Sequence, residues 1–197
     1  MMKGGHYDFA DADGFVRSVV EREIAVVILC GYPGSGKSRI ARSLAERGFV
    51  RMSSDAARTG KLGLGKAKFA PSKDDYERYK RTVYGYIRRE GIKNIAEGRR
   101  VVFDATHLNS EREKLIEALN TAGIDMHKVW IAWVDGGTRA SIASRMERKK
   151  GKDRDGRSWK EAWEVAYDYF VTQVEKGATT IPKGIEKGCK VLWVKNH

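Results

Sequence analysis

Cysteine and histidine are scarce in this chain, and each shortage closes off a class of protein. The two cysteines, Cys30 and Cys189, have neither metal-ligand spacing nor the density of a secreted disulfide scaffold, so both are expected as buried thiols. The four histidines also show no metal-ligand spacing. Long apolar runs are missing: the longest, Ile24 to Cys30, is seven residues, against the roughly 20 that span a bilayer. The opening MMKGGHYDFADAD lacks the basic and apolar regions of a signal peptide. A soluble, cytosolic protein with no membrane partner is expected. There is no internal repeat and no low-complexity tract. The length of 197 residues suits one α/β domain and leaves no room for a large second enzyme.

What is present is positive charge on a foldable composition. Lys and Arg number 38 against 26 Asp and Glu, a net charge of +12, and 41% of residues are apolar. That is enough apolar surface for a core and too much for a disordered tail. The excess charge favours polyanionic partners such as nucleic acid, where neutralised phosphates release counterions. Charge alone does not decide the partner, because many basic enzymes bind no nucleic acid.

Ile24-Ala-Val-Val-Ile-Leu-Cys30 is continuously apolar and β-branched, the pattern of a strand buried on both faces of a parallel sheet. The stretch after it, Ser38 to Arg47, places Ile40, Ala41, Leu44 and Ala45 at helical spacing before a capping Gly48. Further strands are expected at Phe49–Ser53, Arg100–Asp104, Lys128–Asp135 and Cys189–Lys195, five in all, alternating with helices. Ser72 with Asp75, Ser110 with Glu113 and Ser158 with Glu161 fit capping boxes. A helix is expected over Asp74 to Glu97, kinked or broken at Gly85 or Gly91. The stripe Trp159, Ala162, Trp163, Ala166, Tyr167, Phe170, Val171 and Val174 reads as core packing rather than a base-stacking platform. The expected organisation is a single domain over 1–197, with an N-terminal extension at 1–22, a lid loop near 148–158, and a C-terminal helix and last strand over 159–197.

Gly31-Tyr-Pro-Gly-Ser-Gly-Lys37-Ser38 matches G-x-x-x-x-G-K-[ST] and falls between the buried strand and the amphipathic helix, where a phosphate-binding loop must fall. Gly31, Gly34, Ser35 and Gly36 let backbone amides wrap a phosphate, and the helix N-terminus adds a positive dipole end. Lys37 would reach the β and γ phosphates of ATP, and the Ser38 hydroxyl would hold Mg²⁺. Any metal is therefore expected to arrive with nucleotide.

Phosphoryl transfer also needs an acceptor, a group that orients or deprotonates it, and positive charge on the phosphoryl. The second strand ends in Ser53-Ser54-Asp55-Ala-Ala-Arg58. Asp55 can accept a hydroxyl proton, and Arg58, one turn on, can hold a neighbouring phosphate; equally, an Asp at this position suits a helix N-cap. A carboxylate aimed at the acceptor repels a monophosphate and suits an alcohol. Val101-Val102-Phe103-Asp104 ends in a carboxylate fit to hold the metal's hydration shell or to position the acceptor, or simply to make a turn. Arg145 and Arg148, followed by a charged glycine-bearing loop, suit either a lid over the γ-phosphate or a solvated helix face. Lys61, Lys66 and Lys68 suit a mobile arm on a strand's phosphates as well as a solvated loop. The D-x-D-G strings at Asp11 and Asp153 follow no apolar strand and lack the glutamate of a calcium loop, so neither is read as a site.

Taken in order, GYPGSGKS, SSDAAR, VVFDATHLNSER and the arginines near Arg145 resemble the phage and bacterial polynucleotide 5′-hydroxyl kinases, over roughly Ile24 to Gly151. The resemblance implies an adenylate-kinase-like α/β P-loop kinase: a three-layer sandwich on a mostly parallel five-stranded sheet, with a lid segment. It implies transfer of the γ-phosphate of ATP, with Mg²⁺, to the 5′-hydroxyl of DNA or RNA. By resemblance Lys37 and Asp55 are catalytic, Asp55 as general base, together with a lid arginine. The extra residue before the glycine favours Arg148 for that arginine. Gly31, Gly34, Ser35, Gly36, Lys37, Ser38, Arg39 and Arg145 would bind nucleotide; Arg58, Asp104 and Thr106 the acceptor; Ser38 and Asp104 the metal. Arg39 stands where the family often has threonine, and Ser53 and Ser54 replace more polar or charged neighbours of the base. Three other readings remain open at this stage: a kinase of a hydroxymethylated pyrimidine base within DNA, a small-molecule kinase of a nucleoside or other alcohol, and a nucleotide-gated nucleic-acid-binding module.

Overall fold

The computed structural model describes residues 7–9, 11–62, 73–108, 110–148, 158–177, 181–182 and 185–196. The expected lid loop, the Ser72 cap, the second D-x-D-G string, and Lys66 and Lys68 lie largely or wholly outside these residues.

The chain runs β1 (Tyr7–Phe9), α1 (Ala12–Glu21), β2 (Val26–Cys30), α2 (Lys37–Ala45), β3 (Val50–Ser53), α3 (Ser54–Ala56), α4 (Lys73–Ala96), β4 (Val101–Asp104), α5 (Ser110–Thr121), β5 (Val129–Asp135), α6 (Arg139–Glu147), α7 (Trp159–Glu175), β6 (Ile185–Glu186) and β7 (Cys189–Lys195). The five expected strands lie side by side in the order β7-β5-β2-β4-β3, all parallel. Two short strands extend this core. Tyr7–Phe9 adds a parallel edge to β7, and Ile185–Glu186 folds back antiparallel on it. Within the segment read as an extension, Tyr7–Phe9 thus supply a sheet edge and Ala12–Glu21 the helix α1, which buries Phe15, Val16 and Val19. The Asp11 of the first D-x-D-G string is the N-cap of α1, its carboxylate accepting from the Gly14 amide.

Helices cover both faces, as a fully buried parallel sheet requires. Side chains alternate along β2, so Val27 and Leu29 meet α1 and α2, while Val26, Ile28 and Cys30 face Leu115, Ile116 and Leu119 of α5. Both cysteines are fully buried, and burial pushes each thiol up to about 12.

The helix α4 is continuous through Gly85 and Gly91, so neither glycine breaks it. Gly91 has a packing reason instead: a Cβ there would collide with the Phe103 ring on β4, so its absence lets the helix lie close on the sheet. The Ser158 capping box on α7 is formed with Glu161. Helix α5 starts at Ser110 itself rather than after it. On α7, Trp163 is buried against Ile142 and Met146 of α6, and Phe170 packs on the sheet, which agrees with the core reading of that stripe.

Candidate active site

Parallel strands deliver their C-terminal ends to one rim, and the chemistry collects there. β2 ends at Cys30 and opens into the loop Gly31–Gly36, after which α2 begins at Lys37. Lys37 is only 8% exposed. Its Nζ donates to the Gly31 carbonyl at 2.9 Å and to the Tyr32 carbonyl at 2.8 Å, with the Ser35 hydroxyl at 3.4 Å. Burial pushes the Lys37 pKa down to about 8, opposed chiefly by the charge of Asp104 and also by Asp55. Both carboxylates therefore sit within electrostatic reach of this ammonium.

Asp104 closes β4, paired across β3 with Ser53 and across β2 with Leu29. It is 4% exposed and its two oxygens are divided between two partners. Oδ1 accepts from the Ser38 hydroxyl at 3.2 Å, and Oδ2 accepts from Arg51 through both Nε, at 2.9 Å, and Nη2. A hydroxyl and a carboxylate converging beside a phosphate loop form an all-oxygen donor set, which suits Mg²⁺. Among the described residues no group of three or more His, Cys, Asp or Glu is placed to hold a metal, so the ion would need phosphate and water to complete its shell.

Arg51 was missed from the sequence. The available signal was a charged residue in an otherwise mostly apolar strand, two positions before the rim, where a half-buried guanidinium favours a carboxylate partner.

Asp55 stands on α3, which continues as a wide π-helical turn over Ala57–Lys61. Ser53, not Asp55, is the N-cap here, its hydroxyl accepting from the Ala56 amide. Released from capping, the Asp55 carboxylate is 76% exposed and pairs with Arg58 at 2.9 Å. Arg58 is largely covered, and its Nε has no hydrogen-bond partner among the described residues.

The other candidates are distributed unevenly. Thr106 contributes its carbonyl, which accepts from the Gly31 amide. Between Thr106 and the helix α5, His107 is wholly buried, with Nδ1 on the Leu29 carbonyl at 3.1 Å, and desolvation pushes its pKa down to about 4. Arg145 hydrogen-bonds the Gly136 carbonyl, in the loop that packs on Ser35. Arg148 is exposed and donates to Ser144, so of the two arginines it is Arg145 that lies beside the phosphate loop. Arg39 reaches outward to Asp13 of α1 and is not gathered into the loop.

A buried parallel strand, a glycine loop closing on a helix N-terminus with a lysine folded into it, and a carboxylate one strand over define the class: an α/β P-loop protein of the kinase fold. Residues 26–170 match the model of the AAA domain family AAA_33, and the chain belongs to that family. A comparison with curated proteins returns no match. Among solved structures, a putative kinase from Chloroflexus aurantiacus is 13% identical with a TM-score of 0.58, covering 87% of each chain. A chain of the Pnkp1/Rnl/Hen1 RNA repair complex is 20% identical with a TM-score of 0.52, over 82% of this chain and 49% of its own. This chain thus spans about half the length of that relative. A sugar kinase from Janibacter is 17% identical with a TM-score of 0.52, over 86% of this chain and 84% of its own. At these identities the likeness is one of fold.

Proposed function

We propose that this protein is an ATP-dependent kinase of a hydroxyl group, and that the hydroxyl is the 5′ end of DNA or RNA. The observation that carries the reading is the placement of Asp55: freed from capping by Ser53, paired to Arg58, and within electrostatic reach of Lys37. In the proposed reaction Asp55 takes the proton as the acceptor oxygen attacks the γ-phosphorus, the bond to the bridging oxygen breaks, and ADP leaves. Lys37 and the loop amides neutralise charge on the phosphates, and Arg145, which bonds the Gly136 loop beside Ser35, would add positive charge on the transferring group. Ser38 and Asp104 would hold Mg²⁺, which would supply positive charge to offset that of the phosphates. Arg58, paired to Asp55, would supply positive charge to a phosphate next to the reacting hydroxyl.

The acceptor class follows from charge and exposure. The net charge of +12 suits a polyanion, and a base that is 76% exposed leaves room for a chain end. The relatives bracket the choice, since one belongs to an RNA repair complex and another is a sugar kinase. The test is incubation with γ-labelled ATP and a panel of acceptors: 5′-hydroxyl DNA and RNA, end-blocked duplex carrying hydroxymethylated pyrimidine, and nucleosides with other small alcohols. Label on the 5′-hydroxyl ends supports the proposal. Label on the blocked duplex or in acid-soluble product reassigns the acceptor, and no transfer to any acceptor rejects the kinase reading.

A further inference from the structure

Two side chains from the far end of the sequence grip the outer surface of the phosphate loop. The Trp163 indole N–H, on α7, donates to the Pro33 carbonyl at 2.8 Å. The Asn196 amide, just past β7, donates from Nδ2 to the Ser35 carbonyl at 2.8 Å, while its own backbone amide is fixed to the Asp135 carbonyl. The contacts are close enough to exclude side chains from the loop. A Cβ on Gly34 would come within 2.6 Å of Ile142 and 2.8 Å of the Trp163 nitrogen, and one on Gly36 would run into the Asn196 amide. Both glycines also have positive φ, +80° and +96°.

A trans peptide is planar, with its carbonyl and its N–H pointing in opposite directions. The peptides here are trans. A carbonyl pinned outward therefore turns the next residue's N–H the other way. Trp163 holding Pro33 thus turns the Gly34 N–H away from α7, and Asn196 holding Ser35 turns the Gly36 N–H away from the end of β7. A phosphate nest works only if successive amides face inward, because one flipped peptide would present a carbonyl oxygen to an anion.

We infer that Trp163 and Asn196 are positioning residues that hold the Gly34 and Gly36 amides in the anion-binding orientation from outside the loop. The tripeptide between them needs this help because its glycines are otherwise free to flip. The inference rests on the loop holding a nucleotide and not on which acceptor is used. Trp163→Phe keeps an aromatic ring and removes the N–H; Asn196→Ala removes the other donor.

The test is calorimetric titration of the full chain with ADP and with inorganic pyrophosphate, alongside the melting temperature without ligand. Each single variant should raise the ADP Kd about fivefold, the equivalent of one hydrogen bond, and the double variant about 25-fold if the two planes act independently. Pyrophosphate should weaken in parallel, since it reads the nest without the base. Melting temperatures that fall while Kd stays at the wild-type value would show merely structural contacts and overturn the inference. So would a wild-type chain that binds neither ligand. If the Kd shifts appear and no acceptor is phosphorylated, the acceptor reading fails and this one stands.

Discussion

Lys37 and Asp55 stand at the same rim of the sheet in opposite surroundings. The ammonium is 8% exposed and folded onto three oxygens of its own loop, whereas the carboxylate is 76% exposed and borne on the short helix α3, just before a π-helical turn. Around Lys37 the structure is over-determined: Thr106, Trp163 and Asn196 hydrogen-bond the loop, Gly136 packs on it, and Asp104 is divided between Ser38 and Arg51. Around Asp55 one ion pair among the described residues does the orienting. On the proposed function, the contrast matches what each half would have to recognise. A triphosphate has the same shape in every turnover and rewards a fixed, dry nest, while an acceptor brings its own bulk and completes an open site on arrival.

If that division is right, variants of the two halves should separate in their kinetics. The largest effect is expected from Asp55→Asn, which should lower transfer on the order of 100- to 10,000-fold, the usual range for loss of a general base. Its ADP Kd, measured by calorimetry, should stay within about twofold of wild type. A large change in nucleotide affinity would merge the two halves and break the comparison.

The buried half should also declare itself by pH. Lys37 free of ligand titrates at about 8, and bound phosphates must raise that value by favouring the charged form. Nucleotide binding above pH 8 is then coupled to proton uptake, and affinity falls as pH rises, by up to about tenfold per unit. Titrations in two buffers of different ionisation enthalpy measure the uptake, and Lys37→Arg should abolish it.

His107 provides a stability counterpart on the same side. Its folded pKa of about 4 lies below the ordinary 6.5, so between these values the unfolded chain binds a proton that the folded chain refuses. Stability from this group is intact above pH 6.5 and is lost as pH falls toward 4, by about 3 kcal/mol at the lower end. His107→Asn removes the titration and tolerates the positive φ of 46° at this position. The difference in urea midpoint between pH 7 and pH 4.5 should shrink in the variant. Smaller still is Arg58→Ala, expected to raise the acceptor KM about tenfold, as for one charged hydrogen bond, with the ADP Kd unchanged.

Much of the donor half was legible because local sequence suffices to write it. A seven-residue apolar run followed by a glycine loop and an amphipathic stretch admits few structures, and the motif fixes Lys37 and Ser38 by spacing alone. The acceptor half was legible only as a choice. Asp55 suited both a base and a cap until the position of Ser53 settled the cap. The resemblance favoured Arg148 over Arg145 for the lid arginine, whereas in the structure it is Arg145 that bonds the loop at Gly136, which packs on Ser35. Gly91 read as a helix breaker because its partner, Phe103, lies on another strand.

By itself the sequence determined the alternation of strands and helices, the parallel rim and the phosphate loop, since hydrophobic period and glycine placement act over a few residues. Tertiary structure alone decided that Arg51 clamps Asp104, that residues 7–9 complete the sheet, and that Trp163 and Asn196 reach the loop across 130 and 161 residues of chain. Such contacts depend on where elements pack in space, and no local pattern of residues records a distance that only the folded sheet brings to a few ångströms.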